Sequence, residues 1–170
     1  MNTILFPTDL CFEREMIIIM KNLEEIKEFE KYKFKVMNYI MYKKRSEYEI
    51  KNKFSKTIEE EMLNQIIDYI KEAGYIDDSK YIKRTVDEFI ALKNMSVREI
   101  ENKLYSKGLN SYLIKDYIYE NKEELDEYEL ESAKKIVIKK SNTLNEDEIK
   151  QYLLKKGYRP QIISDAMEEQ

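Results

Sequence analysis

The stretch SVREIENKLYSKGL, residues 96–109, is a short helix with its start and its stop written into it. Ser96 is followed three residues later by Glu99, a capping-box pattern. The hydroxyl accepts the third amide of the helix, and the carboxylate reaches back to the cap amide. Ile100 and Leu104, spaced i, i+4, put two apolar side chains on one face. Gly108 comes four residues after Leu104, where a left-handed residue ends a helix, and Lys107 before it suits the negative helix end.

The same pattern occurs upstream and downstream. Ser46 precedes Glu49, and Asn145 precedes Glu148. Ile50 and Ile149 match Ile100, at spacings of 50 and 49 residues, while Phe54 and Leu153 match Leu104. Gly157, after Lys156, repeats the stop of Gly108; the first copy has Ile58 there instead. A second apolar pattern follows each copy: Met62-Leu63 with Ile66-Ile67, Leu113-Ile114 with Tyr117-Ile118, and Ile162-Ile163 with Ala166-Met167. This i, i+1, i+4, i+5 spacing is one broad face of an amphipathic helix. Pro160 fits the first turn of the last of these helices. Another helix, marked by Val36, Val86 and Ile136, lies upstream of each copy. The unit is therefore three helices used three times, and a fixed period of this size predicts stacked helical units.

The predicted fold is all-α: an elongated array of three tandem three-helix repeats, at 34–77, 78–121 and 122–170. Residues 1–33 form an N-terminal extension outside the repeat. There Glu15-Met16-Ile17-Ile18-Ile19-Met20 predicts a short strand, because three successive Ile favour one. The extension as a whole is expected to be irregular or β-containing, with a polar helix over 22–33.

Composition narrows the chemistry. With no His, a Ser-His-Asp triad, a Cys-His pair and a His-ligated metal are all excluded. Three Gly, at 74, 108 and 157, cannot form a dinucleotide fingerprint or a P-loop. The carboxylates lie at helical surface positions, and Asp77-Asp78 reads as a helix start. A binding protein without catalytic residues, metal or cofactor is the expectation. Cys11 stands alone, which excludes an internal disulfide; between Leu10 and Phe12 it is expected to be buried. No apolar run approaches the roughly 18 residues of a membrane span, and Asp9, Glu13 and Glu15 break up any secretory signal. These features predict a monomeric cytoplasmic chain without membrane contact. Thirty basic and 34 acidic residues give a net charge of −4, so strong binding to free DNA is not expected.

The run Gly74 to Leu109 resembles the RecX family of regulatory proteins. It carries Gly74-Tyr75, Asp77-Asp78, Tyr81-Ile82, Arg98-x-Ile100 and Leu104-x-x-Lys107-Gly108-Leu109 in the order of that family's middle repeat. The closing Leu153-x-x-Lys156-Gly157-Tyr158 matches the family's last repeat, and the likeness extends over about 34–170. The chain departs at Phe89, Ser96 and Lys103, where the family usually has Arg, Gly and Glu. The resemblance implies that the elongated array is curved, and that it is a modulator of the RecA recombinase in DNA repair, recombination and the SOS response. It implies docking on RecA or its filament with single-stranded DNA, with inhibition as the expected direction and at most weak direct DNA contact. The basic positions of the second helices are the candidate docking residues: Lys51 and Lys53, Arg98 and Lys103, Lys150 and Lys155, with Arg84 and Lys107 nearby. The alternative is a helical repeat protein that binds DNA directly, because three-helix units resemble helix-turn-helix modules in outline. Against it, the first turns of the second helices read SEYE, SVRE and NEDE, which are too acidic for groove reading.

Overall fold

The computed structural model describes residues 8–168. The helices are α1 (Thr8–Tyr42), α2 (Glu47–Phe54), α3 (Glu60–Glu72), α4 (Asp78–Leu92), α5 (Val97–Ser106), α6 (Ser111–Glu120), α7 (Lys122–Lys140), α8 (Glu146–Lys155) and α9 (Pro160–Glu168). Among the described residues there is no strand. A longer helix followed by two shorter ones occurs three times, the all-helical arrangement the period predicts.

Caps set the boundaries. Ser46 and Glu49 make both bonds of a capping box, at 3.2 and 3.0 Å. Asn145 and Glu148 do the same, at 3.0 and 2.9 Å. Ser96 accepts from the Glu99 amide at 3.0 Å, but Glu99 does not complete the box. Asp77 starts α4 by accepting from the Lys80 amide, and that bond, together with the Lys80 ammonium, holds its carboxyl below the ordinary carboxylate range. Pro160 is the first residue of α9, where its missing N–H would be unsatisfied anyway.

The strand expected at 15–20 is instead helix: Glu15–Met20 lie within α1. A lone strand would leave its backbone groups unpaired, whereas a helix satisfies them internally. Nothing between Thr8 and Tyr42 breaks a helix, since that stretch holds neither Gly nor Pro. The helix-propensity cost of three Ile is only tenths of a kcal/mol each. The polar helix expected at 22–33 is part of the same α1. The side chain of Cys11 lies outside the described residues.

The chain divides into two compact units. One comprises the residues up to Lys43 with Asn52–Tyr75; the other comprises Lys44–Lys51 with the residues from Ile76 onward. In the first, α1 packs on α3, and Val36, Ile40, Ile58, Leu63, Ile66, Ile67 and Ile70 are buried. Tyr39 and Phe54 meet edge to face at 5.5 Å, and Lys33 Nζ sits 4.7 Å from the Tyr69 ring centre. In the second unit, one cluster gathers Ile82, Val86, Met95, Ile100, Leu104, Leu109, Ile114 and Leu125. The other gathers Ala133, Val137, Ile149, Leu153, Tyr158, Ile162, Ile163 and Ala166. Phe89, one of the departures, packs against the first cluster. On α7 Val137 is buried while its neighbour Ile136 is only partly covered, a one-residue displacement from the predicted marker.

Candidate partner-binding surface

The second unit is held by one joint built twice. Ser46 Oγ donates to the Lys107 carbonyl at 2.9 Å, and Ser96 Oγ donates to the Lys156 carbonyl at 2.6 Å. Lys107 Nζ lies 3.8 Å from Glu49 Oε1, and Lys156 Nζ lies 3.8 Å from Glu99 Oε2. The amide of Glu47 donates to Asp78 Oδ1 at 3.3 Å, and that of Val97 donates to Glu129 Oε1 at 3.1 Å. The N-terminus of α2 thus meets the C-terminus of α5, and the N-terminus of α5 meets the C-terminus of α8. Opposite helix-end charges face each other at both places.

Glycine makes this approach possible. Gly108 has φ 70° and Gly157 φ 88°. A Cβ on Gly108 would fall 2.0 Å from Tyr48 Cγ; on Gly157 it would crowd Ser96 Oγ and Arg98. Gly108→Ala should therefore cost at least about 1–3 kcal/mol for the left-handed backbone alone. Tyr48 must also move, so Tyr48→Ala in the same chain should recover part of the loss in a denaturant titration. No recovery would mean that Tyr48 does not form this joint.

Beside the second joint lies a cleft of about 670 Å³. Its apolar lining is Val97, Ile118, Leu154 and Pro160; Arg98, Lys115 and Lys122 add positive charge. Among the described residues these three cations form no ion pair. Arg159, also in the lining, is differently placed. Its Nε donates to Glu129 Oε2 at 2.7 Å, and its Nη2 donates to Asp126 Oδ1 at 2.7 Å. Glu129 is 1% exposed, so its charge is balanced by Arg159 and its other oxygen by the Val97 amide. Behind it, Tyr158 bonds Ser132 at 2.7 Å, and burial pushes its phenol far above the ordinary range. An adjoining cleft of about 430 Å³ is lined by Arg98, Glu99, Leu154, Lys155 and Lys156 among others.

The eight predicted docking residues fall into three groups. Arg98 and Lys155 are brought together, lining the same smaller cleft. Lys51, Lys53, Arg84, Lys103 and Lys150 are exposed, with Lys51 paired to Glu47 at 2.8 Å and Arg84 to Glu88 at 3.3 Å on their own helices. Arg98 and Lys103 are five residues apart, which is about 140° around a helix, so the two point in different directions. Lys107 is a joint residue: besides Glu49, its ammonium donates to Tyr81 Oη at 3.1 Å and is only partly exposed. Lys115 on α6, Lys122 on α7 and Arg159 just before α9 were not among the predicted docking residues. The available signal was the Asp126/Glu129 pair, whose i, i+3 spacing puts two acids on one face of α7.

No family model matches the chain. Regulatory protein RecX of Staphylococcus carnosus strain TM300 is 29% identical over 159 residues, which is 89% of this chain and 60% of that protein. Regulatory protein RecX of Finegoldia magna is 35% identical over 133 residues, 72% of this chain and 63% of that protein. The chain therefore spans about three fifths of the length of these relatives. The crystal structure of RecX from Lactobacillus salivarius superposes with a TM-score of 0.73 at 24% identity, over 85% of this chain and 97% of that one. A second crystal structure, of regulatory protein RecX, gives 0.74 at 21% identity over 92% and 79%. At those identities the structures speak for the fold alone. No described helix is long and apolar enough to cross a membrane. Over most of its length the chain is similar in sequence to regulatory proteins named RecX, and it shares the fold of RecX crystal structures.

Proposed function

We propose that the chain docks on the RecA–single-stranded DNA filament and limits its recombinase and ATPase activity, as a cytoplasmic regulator. The likeness to regulatory proteins named RecX across 89% of the chain carries this reading. The electrostatics agree with it. A net charge of −4 suits contact with protein better than contact with free DNA. The first turns of α2, α5 and α8 hold Glu47 and Glu49, Glu99, and Glu146, Asp147 and Glu148, which would repel phosphate in a groove. Of the candidate docking residues, Arg98 and Lys155 are the strongest pair, because they line one cleft.

The test is RecA-driven ATP hydrolysis on single-stranded DNA, using RecA of the same organism. The chain should lower the rate, and the effect should weaken with salt, as exposed charges are screened beyond about 8–10 Å. Arg98→Glu with Lys155→Glu should raise the concentration needed by about tenfold, equivalent to roughly 1.4 kcal/mol. A chain that leaves RecA unaffected but binds duplex DNA tightly at moderate salt would make direct DNA binding the better reading.

A further inference from the structure

The cleft beside the second joint has a composition that selects a particular kind of occupant. We infer that it takes an acidic peptide segment carrying apolar anchor side chains. The inference rests on the proposed reading only in taking the partner to be a protein.

Charge is the first reason. Arg98, Lys115 and Lys122 come from α5, α6 and α7 and share one cleft, and among the described residues none of them forms an ion pair, although Glu101 and Asp126 also line it. Three cations from three elements are left to an outside anion. Arg159 does not compete for that anion, being held by Asp126 and Glu129. The second reason is the apolar lining. Val97, Ile118 and Leu154 are aliphatic, and Leu154, on α8, is 51% exposed. Tyr119, from α6, adds a ring that is 81% exposed. Covering such side chains yields roughly 25 cal/mol per Å² of apolar surface. The volume, about 670 Å³, lies within the ordinary range for ligand pockets of roughly 300–1,000 Å³.

The same residues argue against a nucleic-acid strand. Single-strand binders pair a continuous basic groove with several stacking rings. Here Glu101 and Asp126 interrupt the basic lining, and Tyr119 is the single exposed ring in it. Apolar anchors between acidic residues, as on one face of an amphipathic helix, suit an aliphatic floor with scattered cations. The walls are also fixed: the Ser96–Lys156 bond and the Glu129–Arg159 pair hold α5, α7 and α8 in place before anything binds. Such preorganisation lowers the ordering cost of association.

The experiment measures fluorescence anisotropy of a short labelled peptide of alternating leucines and glutamates, titrated with the full chain. A leucine–lysine peptide, a glutamate-only peptide and an oligo(dT) strand serve as competitors. The leucine–glutamate peptide should bind, and each competitor should be at least about tenfold weaker. Lys115→Glu with Lys122→Glu, and separately Leu154→Asp, should each weaken binding by about tenfold while helicity stays unchanged. All three positions are exposed, so folding should survive. Equal binding of the leucine–lysine peptide, or wild-type binding by both variants, would overturn the inference. So would tighter binding of oligo(dT) that the Lys115→Glu, Lys122→Glu variant abolishes. Peptide binding by a chain that does not affect RecA would support the cleft and reject the filament reading, so the two failures are distinct.

Discussion

Arg159→Ala should lower the stability of the unit that contains it by about 3–5 kcal/mol, toward the lower end because Arg159 is itself half exposed. Glu129 is the reason. Its carboxylate is 1% exposed and faces Arg159 Nε at 2.7 Å. Truncating the arginine strands that charge in the interior with only the Val97 amide to answer it. The design of the second variant follows from that. Glu129→Gln keeps an oxygen for the Val97 amide and removes the charge, so in the Arg159→Ala background it should recover a large part of the loss. Denaturant titrations of the two chains decide it. If Glu129→Gln makes Arg159→Ala worse, the buried charge is not what destabilises, and the arginine acts by packing its stem.

The second large effect is expected at Leu104. This side chain is fully buried among Ile82, Val86, Met95, Ile100 and Ile114. Leu104→Ala removes three methylene-sized groups from a site closed on all sides, and such changes cost about 2–5 kcal/mol. Its neighbour Lys103 is exposed, and Lys103→Ala should stay within roughly 0.5 kcal/mol. Comparable losses at the two positions would mean that α5 packs on a different face.

What could be read beforehand was local. A cap is a relation between residues three apart, so Ser46, Ser96 and Asn145 announced their helices without help from the rest of the chain. Gly108, Gly157 and Pro160 are likewise legible, because each satisfies a backbone requirement at its own position. The apolar residues Ile100, Leu104, Ile149 and Leu153 followed from spacing alone. The fate of Met16–Met20 was not local. β-branched residues favour a strand only where a neighbouring strand exists to pair with, and among the described residues there is none. The role of Lys107 was hidden for a similar reason. Its sequence position matches a helix C-terminus, yet its partners Tyr81 and Glu49 belong to other helices. The cleft was least legible of all, because Arg98, Lys115, Lys122 and Leu154 come from four helices. No period within one helix could group them.

The joint also governs which parts of the backbone open together. Ser46 and Ser96 are fully buried, and each hydroxyl serves its own helix and a carbonyl of the following repeat. When the last turn of α8 frays, it withdraws the Lys156 carbonyl from Ser96 and loosens the first turn of α5. Fraying of α5 does the same to α2 through Lys107 and Ser46. Fluctuations are thus relayed backward along the chain, from a C-terminal turn to the start of an earlier helix. The first turn of α8 stands apart from this relay, since among the described residues the side chain of exposed Asn145 bonds the Glu148 amide and no carbonyl of another helix. Amide protection should therefore be shared between α8, α5 and α2 at their joined ends, with the start of α8 opening independently.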